Sequence, residues 1–354
     1  MRRRGRRLVA VFAVLAGATA LIVVFVAPAQ GKRERHATPG NLGSVLGEAH
    51  GGDTILLASG DYGTFAGAAK KSTVTIKPAP GARATIQLDL HTAAHLRFVG
   101  LTVAGAKIRA PAHDITIARS RFTAAAQIDA TQMVGADILL DRDTFSGIDV
   151  CSDCFEGRVT VHGREGQTRP VGVTVQNSLF NGGGNSDGIQ VGAYGVRVLH
   201  NEFTGIHMVD ATHTDAIQLY GQSHTIVRGN YIHNAASGIM APDGTSHELI
   251  EDNVIRTDGR PSAITIGSDD SSIVRRNTLP GGRCDYHQSC GILTIDAGNE
   301  GVPSRGTVVE DNVLGGLTVG GGSHLGAKRG NLIGSAARGK HHGVGAPSGV
   351  GPTR

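Results

Sequence analysis

A single phrase recurs along the chain and leaves few folds open to it. VTVQNSLF, VRVLHNEF, TIVRGNYI, LIEDNVI, SIVRRNTL and VVEDNVL, preceded by ITIARSRF and ILLDRDTF, each run as an apolar alternation, a polar turn and one more large apolar residue. Aligned on the turn, they place Ser120, Asp143, Ser178, Asn201, Asn230, Asn253, Asn277, Asn312 and Asn331 in one series with steps of 23, 35, 23, 29, 23, 24, 35 and 19 residues. A period near 23 with β-branched alternation, tight turns and no helical pattern is one coil of a parallel β-helix: three short strands and their corners consume that many residues. Coils stack about 4.8 Å apart, so the turn asparagines are expected to form a hydrogen-bonded ladder with a structural role. The spacing predicts an all-β parallel β-helix of nine to ten coils over residues 38–333.

The second strand of each coil repeats as well, in GIDV, GIQV, AIQL, GIM, AITI, GILTI and GLTV. Ile148, Ile189, Ile217, Ile239, Ile264, Ile292 and Leu317 are expected to form the inward aliphatic column. Ahead of the coils, NLGSVLGEAHGGDTILLASGDYG reads as a short amphipathic helix capping the open end, then a first strand. The 52 glycines and the absence of tryptophan argue against a helical or α/β enzyme.

The N-terminus carries Arg2, Arg3, Arg4, Arg6 and Arg7, then a 19-residue apolar run from Leu8 to Val26, then Ala27-Pro28-Ala29. Residues 1–29 therefore read as an export signal, either cleaved or retained as a membrane anchor. The rest is expected to be secreted or held at the outer face of the membrane, and to be monomeric. Without the signal, 29 basic side chains face 30 acidic ones, so the formal +4 of the whole chain supports no nucleic-acid partner. The Gly/Arg/His-rich stretch 334–354 shows no period and is expected to be disordered. Cys151 with Cys154, and Cys284 with Cys290, fall in the two longest steps and read as local disulfides stapling loops.

The GDTILLASGDYG phrase resembles the start of the pectate-lyase-like, single-stranded right-handed β-helix proteins. That resemblance implies a right-handed solenoid with a carbohydrate-binding groove on one face.

Two consecutive coils carry polar residues that a core does not need, Asn185-Ser186-Asp187-Gly188-Ile189-Gln190 and His213-Thr214-Asp215-Ala216-Ile217-Gln218. In register Asp187 stacks on Asp215, Gln190 on Gln218 and Asn185 on His213, while other coils place Ser146, Ser237, Ser262, Cys290 and Gly315 at the aspartate position. Two carboxylates one coil apart repel, which suits acid/base chemistry or a bound cation. The following coil is longer, and its extra loop, Gly205 to Thr212, is expected to form a lip of the groove with both carboxylates facing solvent beside it.

The expected catalytic set is Asp187, Asp215 and His213. The expected substrate-binding set is Asn185, Gln190, Gln218, Tyr220, His233 and Arg256. Either glycoside hydrolysis, with one carboxylic acid and one carboxylate, or elimination from a polyuronate would use such a set. The absence of lysine between Lys107 and Lys328 excludes a lysine base there. Arginine (Arg228 or Arg256), histidine (His213 or His233) and Tyr220 remain as candidate bases. Calcium is the cation that hard oxygen ligands at Asp187, Asp215 and Asp210 would take.

NSDGI also resembles the NTDGI motif of polygalacturonase-type glycoside hydrolases, with Asp215 at the second aspartate of their following pair. Thr214 replaces the first, Ser237 stands near the family's histidine, and no Arg-x-Lys follows. The expected function is therefore an extracellular polysaccharide-active enzyme, lyase or hydrolase, and the alternative is a non-catalytic cell-surface β-helix that binds glycan or protein.

Overall fold

A computed structural model describes residues 33–148, 157–207, 214–285, 289–337 and 340. The expected signal, Cys151, Cys154, Asp210, His213 and most of the C-terminal stretch lie outside the described residues.

Every strand pair between coils is parallel, with bulges shifting the register in a few, and the strands fall into three stacks that share one core. The first stack holds thirteen strands, from Glu34–Ala37 through Arg197–Leu199 and Ile226–Arg228 to His324–Arg329. Nine to ten coils were expected. The additional coils lie at the N-terminal end and turn their corners without the polar phrase that marks the repeat.

At the corner after the first stack, one residue adopts a left-handed conformation and the next enters the ladder. His200 (φ 55°), Asp252 (φ 57°) and Arg276 (φ 52°) take the strained position, and Asn201, Asn253 and Asn277 follow them. The backbone N–H of Asn201 donates to Asn230 Oδ1 at 2.9 Å, that of Asn230 to Asn253 Oδ1 at 2.9 Å, and that of Asn253 to Asn277 Oδ1 at 3.0 Å. The series continues through Asn312 to Asn331. Each amide nitrogen also donates to a carbonyl of the preceding coil, as Asn201 Nδ2 does to Val175 O at 3.0 Å. The ladder thus satisfies corner groups that the strand hydrogen bonds miss.

The large apolar residue after each ladder position points inward. Phe122, Phe145, Phe180 and Phe203 stack with centroids 4.3, 4.7 and 4.8 Å apart. The aliphatic column of the third stack is Val159, Ile189, Ile217, Ile239, Ile264, Leu293 and Leu317. Two members differ from expectation. Ile148 is followed by residues 149–156, so its coil builds the strand from Gly157–His162, which sets Val159 in the column and Gly157, rather than Ser146, opposite Asp187. A bulge between Ser262 and Ile264 brings Leu293 inward and leaves Ile292 half-buried.

The capping helix is Leu42–Glu48, which buries Leu42 and Leu46 on the core. A strand, Glu34–Ala37, precedes it and pairs with Thr54–Leu57, so the first strand comes earlier than expected. Asp53 ties this end together. It accepts the backbone N–H groups of Arg33 and His50 and the Arg35 Nε–H. Burial pushes its carboxyl up, but those bonds and the Arg35 charge outweigh burial and hold it at about 2. At the other end Gly334–Ala337 forms a turn of 3-10 helix, where disorder was expected.

Candidate functional site

Alternation along a strand sends every second side chain outward, and register aligns those side chains in columns. On the third stack, one outward column runs Lys107, Gln127, Thr160, Gln190, Gln218. Beside it Arg109, Asp129, His162 and Gly192 form a second. Amides, hydroxyls and alternating charges thus cover one face at coil spacing. A cavity of 370 Å³ opens between the columns, lined by Thr160, His162, Gln190, Gly192, Tyr220 and Gln222 among others.

Gln190 organises this cavity. Its Nε2 donates to Asp187 Oδ2 at 2.9 Å and lies 3.4 Å from Tyr220 Oη. One coil on, Gln218 Oε1 is buried without a hydrogen-bond partner among the described residues. Burial pushes the Tyr220 phenol well above the usual tyrosine range, and the charges of Asp187, Asp243 and Asp215 add to it. A phenol so placed keeps its proton and donates hydrogen bonds; it does not serve as a base. On the neighbouring column, the Thr131 hydroxyl holds Asp129 below its usual value against the effect of burial, with support from the Thr131 amide, His162 and Arg109.

Asp187 and Asp215 stack one coil apart as expected, but neither faces solvent. Their exposures are 2% and 0%. Asp187 begins the strand Asp187–Gly192, and its Oδ1 accepts the backbone N–H of Asp215 at 2.7 Å. The side chain is therefore drawn into the wall of the coil, behind Gln190. Asn185 is also buried, in the turn before Asp187, where its carbonyl accepts the Thr214 hydroxyl at 3.3 Å.

The remaining candidates lie elsewhere. His233 and Arg256 pair in register on the outer face of the second stack, where His233 Nε2 sits 3.0 Å from Glu202 Oε1 and its ring stacks on Tyr231. Arg228 lies on the outer face of the first stack, engaged by Glu251. Cys284 and Cys290 form the expected disulfide, with Cα atoms 6.0 Å apart. Among the described residues no three His, Cys, Asp or Glu side chains gather as a metal site.

The family description "Right handed beta helix region" matches residues 159–332, the span that carries the cavity and most of the ladder. The chain is a right-handed parallel β-helix protein. The fold is the right-handed parallel β-helix that the coil repeat led us to expect. No curated protein sequence matches it.

Solved structures similar to it include a mannuronic-acid-specific family 6 polysaccharide lyase from human gut microbiota, at 13% identity, covering 85% of each chain, with a TM-score of 0.46. The Streptococcus pneumoniae surface adhesin PfbA is similar at 13% identity over 83% of this chain and 85% of its own, with a TM-score of 0.47. The A-module of the Azotobacter vinelandii mannuronan C-5 epimerase AlgE4 is similar at 13% identity over 87% and 93%, also with a TM-score of 0.47.

One residue of this β-helix escaped the sequence reading. Arg158 stands one coil before Gly188 and is fully buried. Its guanidinium donates to the carbonyls of Ser186 (2.7 Å), Gly182 (2.6 Å) and Gly183 (2.6 Å). It thereby fixes the glycine-rich turn that delivers Asn185 and Asp187. The only signal was an arginine at an outward position directly after a long insertion, which by itself reads as a solvated surface residue.

Proposed function

We propose that this β-helix is an extracellular protein that takes a polysaccharide across its third stack and acts on it, by elimination or by hydrolysis. The observation that supports this reading is the cavity lined by Thr160, His162, Gln190, Tyr220 and Gln222. Its hydroxyl and amide groups, repeated at coil spacing, match the regular hydroxyls of a glycan chain. Protonated Tyr220 supplies a donor to a sugar oxygen. Gln190, whose NH2 group is held by Asp187 and Tyr220, offers its side-chain carbonyl as an acceptor, and His213, two residues before Asp215 in the sequence, is the candidate base. Asp187 and Asp215 act from within the wall, positioning the amides and setting a negative field behind the cavity.

The purified mature protein, incubated with a panel of polyuronates and neutral glycans with and without calcium, tests this directly. Ultraviolet absorbance of an unsaturated uronate end marks elimination, and reducing ends without it mark hydrolysis. Absence of both across the panel removes the enzyme reading.

A second reading, a non-catalytic surface β-helix that binds glycan or protein, draws on the burial of both carboxylates and the use of Asp187 as a hydrogen-bond acceptor. It expects saturable binding of a glycan or protein with no new chain ends.

A further inference from the structure

The outer face of the second stack, a different face from that of the third-stack cavity, carries a hydroxyl, an imidazole and a carboxylate in one chain of contacts. The strands Glu202–Ile206 and Tyr231–Ala235 pair with Glu202 opposite Tyr231 and Thr204 opposite His233. Alternation turns all four outward and half-buried, while Phe203 and Ile232 between them point into the core. His233 Nε2 lies 3.0 Å from Glu202 Oε1, and Thr204 Oγ1 lies 3.5 Å from His233 Nδ1. The imidazole also stacks on Tyr231, with ring centroids 4.3 Å apart and planes 21° from parallel. One coil earlier, Leu179 stands opposite Glu202 and Asn181 opposite Thr204. One coil later, Arg256 stands exposed opposite His233.

The order of these contacts sets the tautomer of the neutral ring. A carboxylate only accepts, so Nε2 carries the proton that reaches Glu202, and the Nδ1 lone pair is left facing the Thr204 hydroxyl. Glu202 and the Tyr231 ring together hold the imidazole in that orientation. A nucleophile, a base beside its proton and an acid that orients the base are the three parts of a covalent acyl-transfer site. The 3.5 Å separation is long for a hydrogen bond, but catalytic hydrogen bonds commonly tighten only around substrate. An ion pair alone would need Glu202 and His233 and no hydroxyl at the second nitrogen.

We propose that Thr204, His233 and Glu202 form a site that hydrolyses carboxylic esters of small acyl groups, an activity separate from that of the third-stack cavity. His233 Nδ1 takes the Thr204 proton as Oγ1 bonds to the ester carbonyl carbon, and that proton passes to the departing alkoxide as its C–O bond breaks. Water then attacks the acyl-threonine, giving a proton through His233 back to Thr204 Oγ1 and releasing the acid. Ester and water thus become alcohol and acid, with the site restored. Glu202 is a positioning residue that holds the tautomer and stabilises the transient imidazolium. The Asn181 amide, one coil from the hydroxyl, is the donor for the oxyanion, and Arg256 adds positive charge to the same face. Leu179 and Tyr231 give a small acyl group an apolar flank. An acetylated sugar hydroxyl is an ester of this class.

The test uses the full mature chain with p-nitrophenyl acetate and with acetylated xylan, read as nitrophenolate and as free acetate. The wild type is expected to turn over saturably, and mass spectrometry of the acid-quenched reaction is expected to find an acetyl group on Thr204. Thr204→Val and His233→Ala should each lower kcat by about a hundredfold or more. Thr204→Ser should keep turnover, with the acetyl group still at position 204, and Glu202→Gln should lower kcat with KM nearly unchanged. Absence of acetate release from both probes overturns the site. So does turnover that survives unchanged in Thr204→Val, the result that a surface imidazole acting alone on an activated ester would give. Whether the acetyl group is found on Thr204 of the wild-type chain decides the matter even where a variant fails to fold, and cleavage of a glycan chain enters none of these readouts.

Discussion

The Asp187 Oδ1 atom accepts the backbone N–H of Asp215 at 2.7 Å, so one of the two stacked carboxylates holds the start of the next coil. Its other oxygen fixes Gln190. Asp187→Ala strands both donors and should cost about 1–3 kcal/mol in urea unfolding. Asp187→Asn should cost far less, because Gln190 can rotate its amide to accept from the new NH2 group. Loss of glycan turnover in Asp187→Asn with stability retained would mark a direct chemical role for the carboxylate.

Asp143 sits in the ladder where later coils carry asparagine. Its Oδ1 accepts the Ser120 N–H at 2.8 Å, while Oδ2 has no partner. Burial holds this carboxyl well above the usual range, against the pull of the Ser120 and Asp141 amides. A raised folded-state pKa means stability that is full below the unfolded value of about 3.9 and is lost as pH rises above it. Asp143→Asn supplies the missing donor and removes the titration. Its Tm should exceed that of the wild type at pH 7, with the gap narrowing toward about pH 4.

Tyr220→Phe removes the protonated phenol beside Gln190 at little cost to folding. Glycan binding or turnover should fall about tenfold, the scale of one lost hydrogen bond of about 1.4 kcal/mol, with Tm nearly unchanged. In a spectroscopic titration, the phenolate step missing from this variant should lie above the ordinary tyrosine value of about 10.

On the first stack Arg228, Glu251, Arg275, Glu310 and Arg329 alternate in charge in one outward column. Glu251 is its centre, bonded to Arg228, Arg275 and Arg276. Burial pushes Glu251 up, but Arg275 and Arg228 outweigh burial and hold its carboxyl below the usual range. The stability it contributes is therefore present above the unfolded value of about 4.3 and is lost as pH falls through the folded one. Glu251→Gln should destabilise by about 1–2 kcal/mol at pH 7, a value reduced by the exposure of the arginines, and by less near about pH 3, as followed by thermal melts.

The coil period, the asparagine ladder, the capping helix and most of the inward column were legible in the sequence, because each repeats. A residue that recurs at every coil announces its place by spacing alone. The stacking of Gln190 on Gln218 and of Asp187 on Asp215 followed from the same register. Whether a side chain at a corner points outward or into the wall carries no period. Only the tertiary structure placed Asp187 and Asp215 inside, because the neighbouring coil offers Asp187 an amide donor and Arg158 locks the turn that leads to it. It also separated His233 and Arg256 from the cavity, since residues close in sequence on one coil look outward from different faces. Repetition is a property of the chain and fixes the solenoid. Burial and pairing depend on what the adjacent coils supply, which is decided when the coils stack.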